Sequence, residues 1–159
     1  MLRRSLVLLL AVLAAIGATG CGGQAEEVRE ANAYAERVNA IQAAFERDLA
    51  TLNRTVSAAR ERQDVADAAA RLQRRIDGVR RELEEVRPPA AVAGAHRSLI
   101  AAFQQWSAPL REFRRSLRRR DVQAALRAKV RFDSESGAVV ERVNDARRRI
   151  NEALRDLSD

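Results

Sequence analysis

Between Asp64 and Pro88, apolar side chains recur at Val65, Ala69, Leu72, Ile76, Val79, Leu83 and Val86, in alternating steps of four and three. A half-buried strand alternates at every second residue, so this spacing calls for a helix with one buried stripe. Asp64 is read as its N-cap, because a carboxylate there accepts an orphan backbone N–H. Pro88 and Pro89 stop it. Pro88 disfavours helical geometry at Arg87, neither ring can donate, and Pro89 or Ala90 can open the next helix.

The same rhythm continues through Val92, His96, Leu99, Phe103, Trp106, Leu110, Phe113 and Leu117. It keeps phase across Pro109, which is therefore expected to kink the outward face of one helix, at a cost of ~3 kcal/mol, rather than to separate two. Asp121 caps a fourth helix with the stripe Val122, Ala125 or Leu126, Phe132, Val139, Val143, Ala146, Ile150, Leu154 and Leu157, interrupted by Lys129 and Ser136. The first helix, from about Glu26 to Arg62, carries Tyr34, Val38, Ile41, Phe45, Leu49, Leu52, Val56 and Ala59. With only seven glycines and three prolines in 159 residues, strong helix formers fill nearly every other position. The fold class is all-α.

Short connections force successive helices to reverse, so an antiparallel up-and-down four-helix bundle is expected. The first and fourth helices, at roughly 55 Å, should overhang the second, at roughly 36 Å, as a two-helix stalk beyond the Pro88-Pro89 turn. The alternative is a long hairpin of residues 26–87 and 89–157. Against it, the first stripe continued in sevens from Val38, Phe45, Leu52 and Ala59 reaches Ala66, one residue off Val65. Asp64 also prefers a cap to a helix interior.

Ahead of this domain stand Arg3 and Arg4, an apolar run of 11 residues from Leu6 to Ile16, and the small residues Ala18, Thr19 and Gly20 before Cys21. The run is too short for the ~18 to 20 residues that cross a bilayer and reads as the h-region of an export signal. Ala18-Thr19-Gly20-Cys21 resembles the lipobox of bacterial lipoprotein precursors. That resemblance covers residues 1–23 and implies cleavage before Cys21, a diacylglyceryl group on its sulfur and acylation of its new amine. Leucine is usual where Ala18 stands, and small-x-small also suits ordinary signal peptidase, which would release a soluble protein with a free thiol; an uncleaved anchor is a third reading. Cys21 is the only cysteine, and an exported protein seldom keeps one exposed thiol, so lipidation is the favoured reading. Two or more acyl chains, at ~0.8 kcal/mol per buried CH₂, hold stably where one would be marginal.

The expected organisation is a signal peptide over 1–20, a lipidated tether over 21–25 and a single helical domain over 26–159. It would lie outside the cytoplasm, on the cell membrane or outer membrane. The stretch Val86-Arg87-Pro88-Pro89-Ala90 through His96 and Leu99 also resembles uncharacterised exported helical-bundle proteins of high-GC bacteria, a likeness that brings no activity with it.

The residue inventory argues against an enzyme. There is one histidine and no thiol apart from Cys21, whereas nucleophilic catalysis needs a nucleophile with its base. Neither the Glu-x-x-His pairs of di-metal bundles nor a Cys-x-x-Cys-His haem site occurs, nor any glycine-rich phosphate loop, so no cofactor or metal is expected. His96 sits at a core position and is expected to be satisfied by Asn144, Asp145 or Glu141. The sharper alternative is a pH-sensitive latch, since burial moves an imidazole across neutrality.

The remaining candidate is Arg111, Arg114, Arg115, Arg118, Arg119 and Arg120. Arg111 with Arg115, Arg114 with Arg118 and Arg115 with Arg119 are like charges four apart, each costing a few tenths of a kcal/mol unless a partner or an anion offsets it. Residues 54–71 and 111–133 together carry a net charge of +7. Bundle geometry puts them at the end farthest from the anchor. The run reads either as a solvated face or as a docking site for an anionic envelope polymer or an acidic protein face. Export argues against nucleic acid. The aromatic residues read as packing, with an apolar-ligand cavity or a sensor bundle as the alternative; the oligomeric state is left open.

Overall fold

The computed structural model describes residues 22–119 and 121–157. The signal peptide over 1–20, Cys21 and Arg120 therefore lie outside the described residues. What is described is all-helical: α1 over Gly22–Ala58, α2 over Arg62–Glu84, a single 3₁₀ turn over Ala90–Val92, α3 over Ala93–Arg118 and α4 over Val122–Asp156. The long hairpin is thereby excluded, because the chain breaks between Ala58 and Arg62 as well as at the prolines.

That first break corrects the reading of Asp64. The residue is not the N-cap of α2 but stands three residues after it, and Glu61 is the cap. From there the Asp64 carboxylate reaches back to accept the backbone N–H groups of Arg60 and Glu61, both at 3.2 Å. A carboxylate at the third helical position satisfies orphan donors as well as one at the cap. The helix consequently starts earlier, and α1 ends at Ala58 rather than Arg62. Asp121 behaves as read, accepting the Ala124 N–H at 2.9 Å.

The four helices pack against one another around one core. The tightest seam joins α3 and α4, followed by α2 with α3 and α1 with α2; α1 and α4 have no comparable seam. Every position of the α3 stripe from Val92 to Leu117 is buried. Phe45 of α1 meets Phe103 and Trp106 edge-on, with ring centroids 5.3 and 5.9 Å apart. Such contacts between apolar side chains, and not the intrinsic preference of each segment, stabilise helices of this length.

Two expectations about the stripes are overturned. Pro109 is buried inside a continuous α3, not set on an outward face. Its ring still leaves the Gln105 carbonyl without the usual N–H, since proline has none. Ser136 does not interrupt the α4 stripe. It is 5% exposed and accepts a 2.8 Å hydrogen bond from the Trp106 indole, which gives the buried N–H the partner it requires.

Candidate functional site

Two places carry side-chain chemistry that packing alone does not absorb. The first is His96, 3% exposed on the first turn of α3. Its Nε2 lies 3.1 Å from the Leu83 carbonyl oxygen and its Nδ1 lies 3.1 Å from the Tyr34 hydroxyl. A carbonyl has no proton to give, so Nε2 carries the hydrogen and Nδ1 accepts from the tyrosine. The partners are thus Tyr34 of α1 and the last turn of α2, not Asn144, Asp145 or Glu141 of α4. The Leu83 carbonyl, in the last turn of α2, also accepts the Val86 N–H at 3.1 Å, and His96 adds a second hydrogen bond to it from another helix.

Neither partner is a carboxylate, so no counter-charge in this triad stabilises a charged imidazole. Burial lowers the His96 pKa below its ordinary 6.5, and the Leu83 hydrogen bond opposes that only in part. The Tyr34 phenol is pushed far above its usual range by the same burial. One signal in the sequence pointed to the pairing. Tyr34 lies on a core stripe, and a buried phenol needs a hydrogen-bond partner.

The second place is the arginine run. Arg111, Arg115, Arg118 and Arg119 are exposed and Arg114 is half-buried. Among the described residues none of these five forms an ion pair with a carboxylate. Five acids of the neighbouring sequence are engaged elsewhere. Glu112 holds Arg131 of α4 at 3.0 and 3.2 Å, Asp133 holds Lys129 at 2.5 Å, and Asp121 caps α4. Asp64 accepts the backbone N–H groups of Arg60 and Glu61, and Asp67 accepts from Gln63 at 3.0 Å. The one favourable local term is the C-terminus of α3, whose carbonyl dipole attracts Arg115 and Arg118 in the last turn by about 0.3 to 1 kcal/mol each.

Apolar residues expected in the core lie beside this basic segment instead. Val122 is 77% exposed and Leu126 56%. Val130, on the same face of α4, is 63% exposed, and Val56 near the end of α1 is 44% exposed. The aromatic residues follow their stripes: Phe45, Phe103, Trp106 and Phe113 are buried, and the half-buried Phe132 stacks on Phe113 at 5.7 Å.

Surface grooves occur where α3 meets α4, between Ser98, Gln105, Asp145 and Arg149, and beside Tyr34, Arg37, Glu85 and Pro88. Both are rimmed by polar side chains. Among the described residues no group of histidine, cysteine or carboxylate side chains is arranged to hold a metal, and no helix is long and apolar enough to cross a membrane. Against protein-family models, curated proteins and solved structures, the chain finds no match.

Proposed function

We propose that this chain is a cell-envelope lipoprotein without enzymatic activity, held to a membrane through acylated Cys21, whose helical domain docks an anionic envelope partner through its basic end. The domain is an antiparallel up-and-down bundle in this reading. Support comes from the order of contacts. Gln105 to Arg142, Trp106 to Ser136 and Glu112 to Arg131 run in opposite directions along α3 and α4, while Tyr34 to His96 and Phe45 to Phe103 run in the same direction along α1 and α3. The basic segments 54–71 and 111–133 then share the end remote from Cys21.

One observation carries the docking function: among the described residues five arginines of one segment form no ion pair, while Glu112, Asp133, Asp121 and Asp64 are engaged elsewhere. A polyanion or an acidic protein face would supply the missing counter-charge, with attraction that falls as salt is added. The rival reading as an apolar-ligand or sensor bundle draws on the aromatic residues, and those pack against one another.

The test is retention of the full chain, in zwitterionic nanodiscs, on an immobilised polyanion. Retention should weaken with salt and be lost on neutralising Arg114, Arg115, Arg118 and Arg119 to glutamine. Salt-independent retention, or none, sinks the docking function, as does a variant that binds unchanged. The anchor is tested separately by acyl labelling in a bacterial host, which Cys21→Ala should abolish; persistent label would overturn it.

A further inference from the structure

Val122, Leu126 and Val130 form a line at steps of four along the first turns of α4, all turned to solvent. Exposed single apolar residues are ordinary, but a row of them on one helix face is the pattern of a contact surface. The row faces away from α3. Arg131 bonds Glu112 of α3, and at 3.6 residues per turn Leu126 lies roughly 140° round α4 from Arg131. On that side α1 would close a bundle, yet α1 and α4 share no close seam.

Val56 of α1 stands at the same level. Counted from Phe45, which meets Trp106, Val56 lies roughly 16 Å along α1. Counted from Ser136, which bonds Trp106, Leu126 lies about 15 Å along α4. The directions agree, because α1 contacts run with α3 and α4 contacts run against it. Leu49 and Leu52, on the α1 stripe before Val56, are only half-buried. With Val56, Val122 and Leu126 exposed, the side of α4 towards α1 is open to solvent at its arginine-rich end.

We infer that this open seam receives an acidic amphipathic helix of a partner protein, its apolar side chains against Val56, Val122, Leu126 and Val130 and its carboxylates towards Arg127. The inference rests on the docking function proposed above and narrows its partner. A helix laid in a groove is read by anchors three and four residues apart, which is the spacing the row presents. Arg127 is three residues from Val130 and borders the row. Arg127 has no carboxylate partner among the described residues.

Charge also decides against the other occupants. A second copy would bring together two ends of the same sign, each with a net +7. A purely polar polymer would leave the row wet. A lipid surface calls for bulky interfacial side chains such as Trp and Phe, and here the tryptophan and three of the four phenylalanines are buried.

The experiment uses the full chain in zwitterionic nanodiscs and three probes: a synthetic helix with leucines at steps of three and four flanked by glutamates, the same helix with lysines in their place, and vesicles of phosphatidylglycerol. The acidic helix should bind, and the basic one should bind at least about tenfold more weakly. L126S combined with V130S should weaken the acidic helix by at least about tenfold, with helicity by circular dichroism unchanged because both positions are exposed. Leu126→Lys provides a second block at the same site.

Equal binding of the two helices, binding of neither, or indifference to both sets of variants overturns the inference. Vesicle binding that depends on Leu126 would assign the row to a lipid surface and overturn it too, as would self-association abolished by L126S. If neutralising Arg114, Arg115, Arg118 and Arg119 removes polyanion retention while the Leu126 variants leave helix binding intact, the seam inference fails and the docking function stands. If retention ignores those arginines while helix binding follows Leu126, the docking function fails and the seam stands.

Discussion

The layer around His96 and Trp106 and the end around Arg115 and Leu126 belong to the same helices, yet they treat their side chains in opposite ways. In the first, both ring nitrogens of His96 and the indole N–H are hydrogen-bonded, across four helices in total. In the second, among the described residues five arginines form no ion pair and three apolar residues of α4 are exposed. The difference lies in closure. Aromatic rings fill the space between α1, α3 and α4 at the first level, whereas no buried residue of α1 follows Phe45. A satisfied layer holds a fold together, and an unsatisfied surface is where a partner has something to add.

The comparison breaks first if its two leucines cost the same. Leu99 is 0% exposed and Leu126 is 56% exposed, so Leu99→Ala should lose about 2 to 5 kcal/mol of unfolding free energy in urea. Leu126→Ala should stay within about 0.5 kcal/mol. Similar losses at the two sites would mean that the seam is already closed. Trp106→Phe, which keeps most of the packing but leaves the Ser136 hydroxyl buried without its donor, should cost about 1 to 3 kcal/mol by the same measurement.

Smaller again is the loss at Asp64→Ala, about 1 kcal/mol with a frayed start to α2, because Arg60 and Glu61 lose their acceptor. A variant as stable as the parent would show that the α1–α2 break depends on something else.

The last prediction concerns pH. Well above 6.5 the imidazole is neutral in both the folded and the unfolded chain, and it contributes no slope. Below 6.5 the unfolded chain takes up a proton that burial withholds from folded His96. Stability should therefore fall as the pH drops below 6.5, and this contribution should level off once folded His96 protonates at its lower pKa. His96→Leu should remove that part of the slope. An unchanged profile between pH 5 and 8 would end any role for His96 as a latch, leaving it as the link between α1, α2 and α3.

How much of this was legible depended on the kind of signal. The α3 stripe was readable throughout because burial follows helical period, and each residue from Val92 to Leu117 lies where the 4-3 spacing puts it. Helix ends were less legible. Asp64 advertises a cap, but whether it acts from the cap position or from three residues inside depends on which backbone N–H groups it reaches. Ser136 looked like a gap because polarity is a property of the residue, while its use depends on Trp106, thirty positions away. Val122 misled in the opposite sense, since apolar character does not guarantee a neighbour, and of the alternatives Ala125 or Leu126 it is Ala125 that packs against the core. His96 was placed in the core correctly but given the wrong partners, because matching helix levels does not say which facing helix supplies the acceptor.

The sequence by itself determined an all-helical chain, the breaks at the prolines and before Val122, and a concentration of arginine in one segment, since these follow from local period, backbone chemistry and charge. Only the tertiary structure decided which polar groups the core satisfies and which residues it leaves uncovered. Those outcomes depend on distances between helices remote in sequence, as the bond from Trp106 to Ser136 and the exposed Val122, Leu126 and Val130 show.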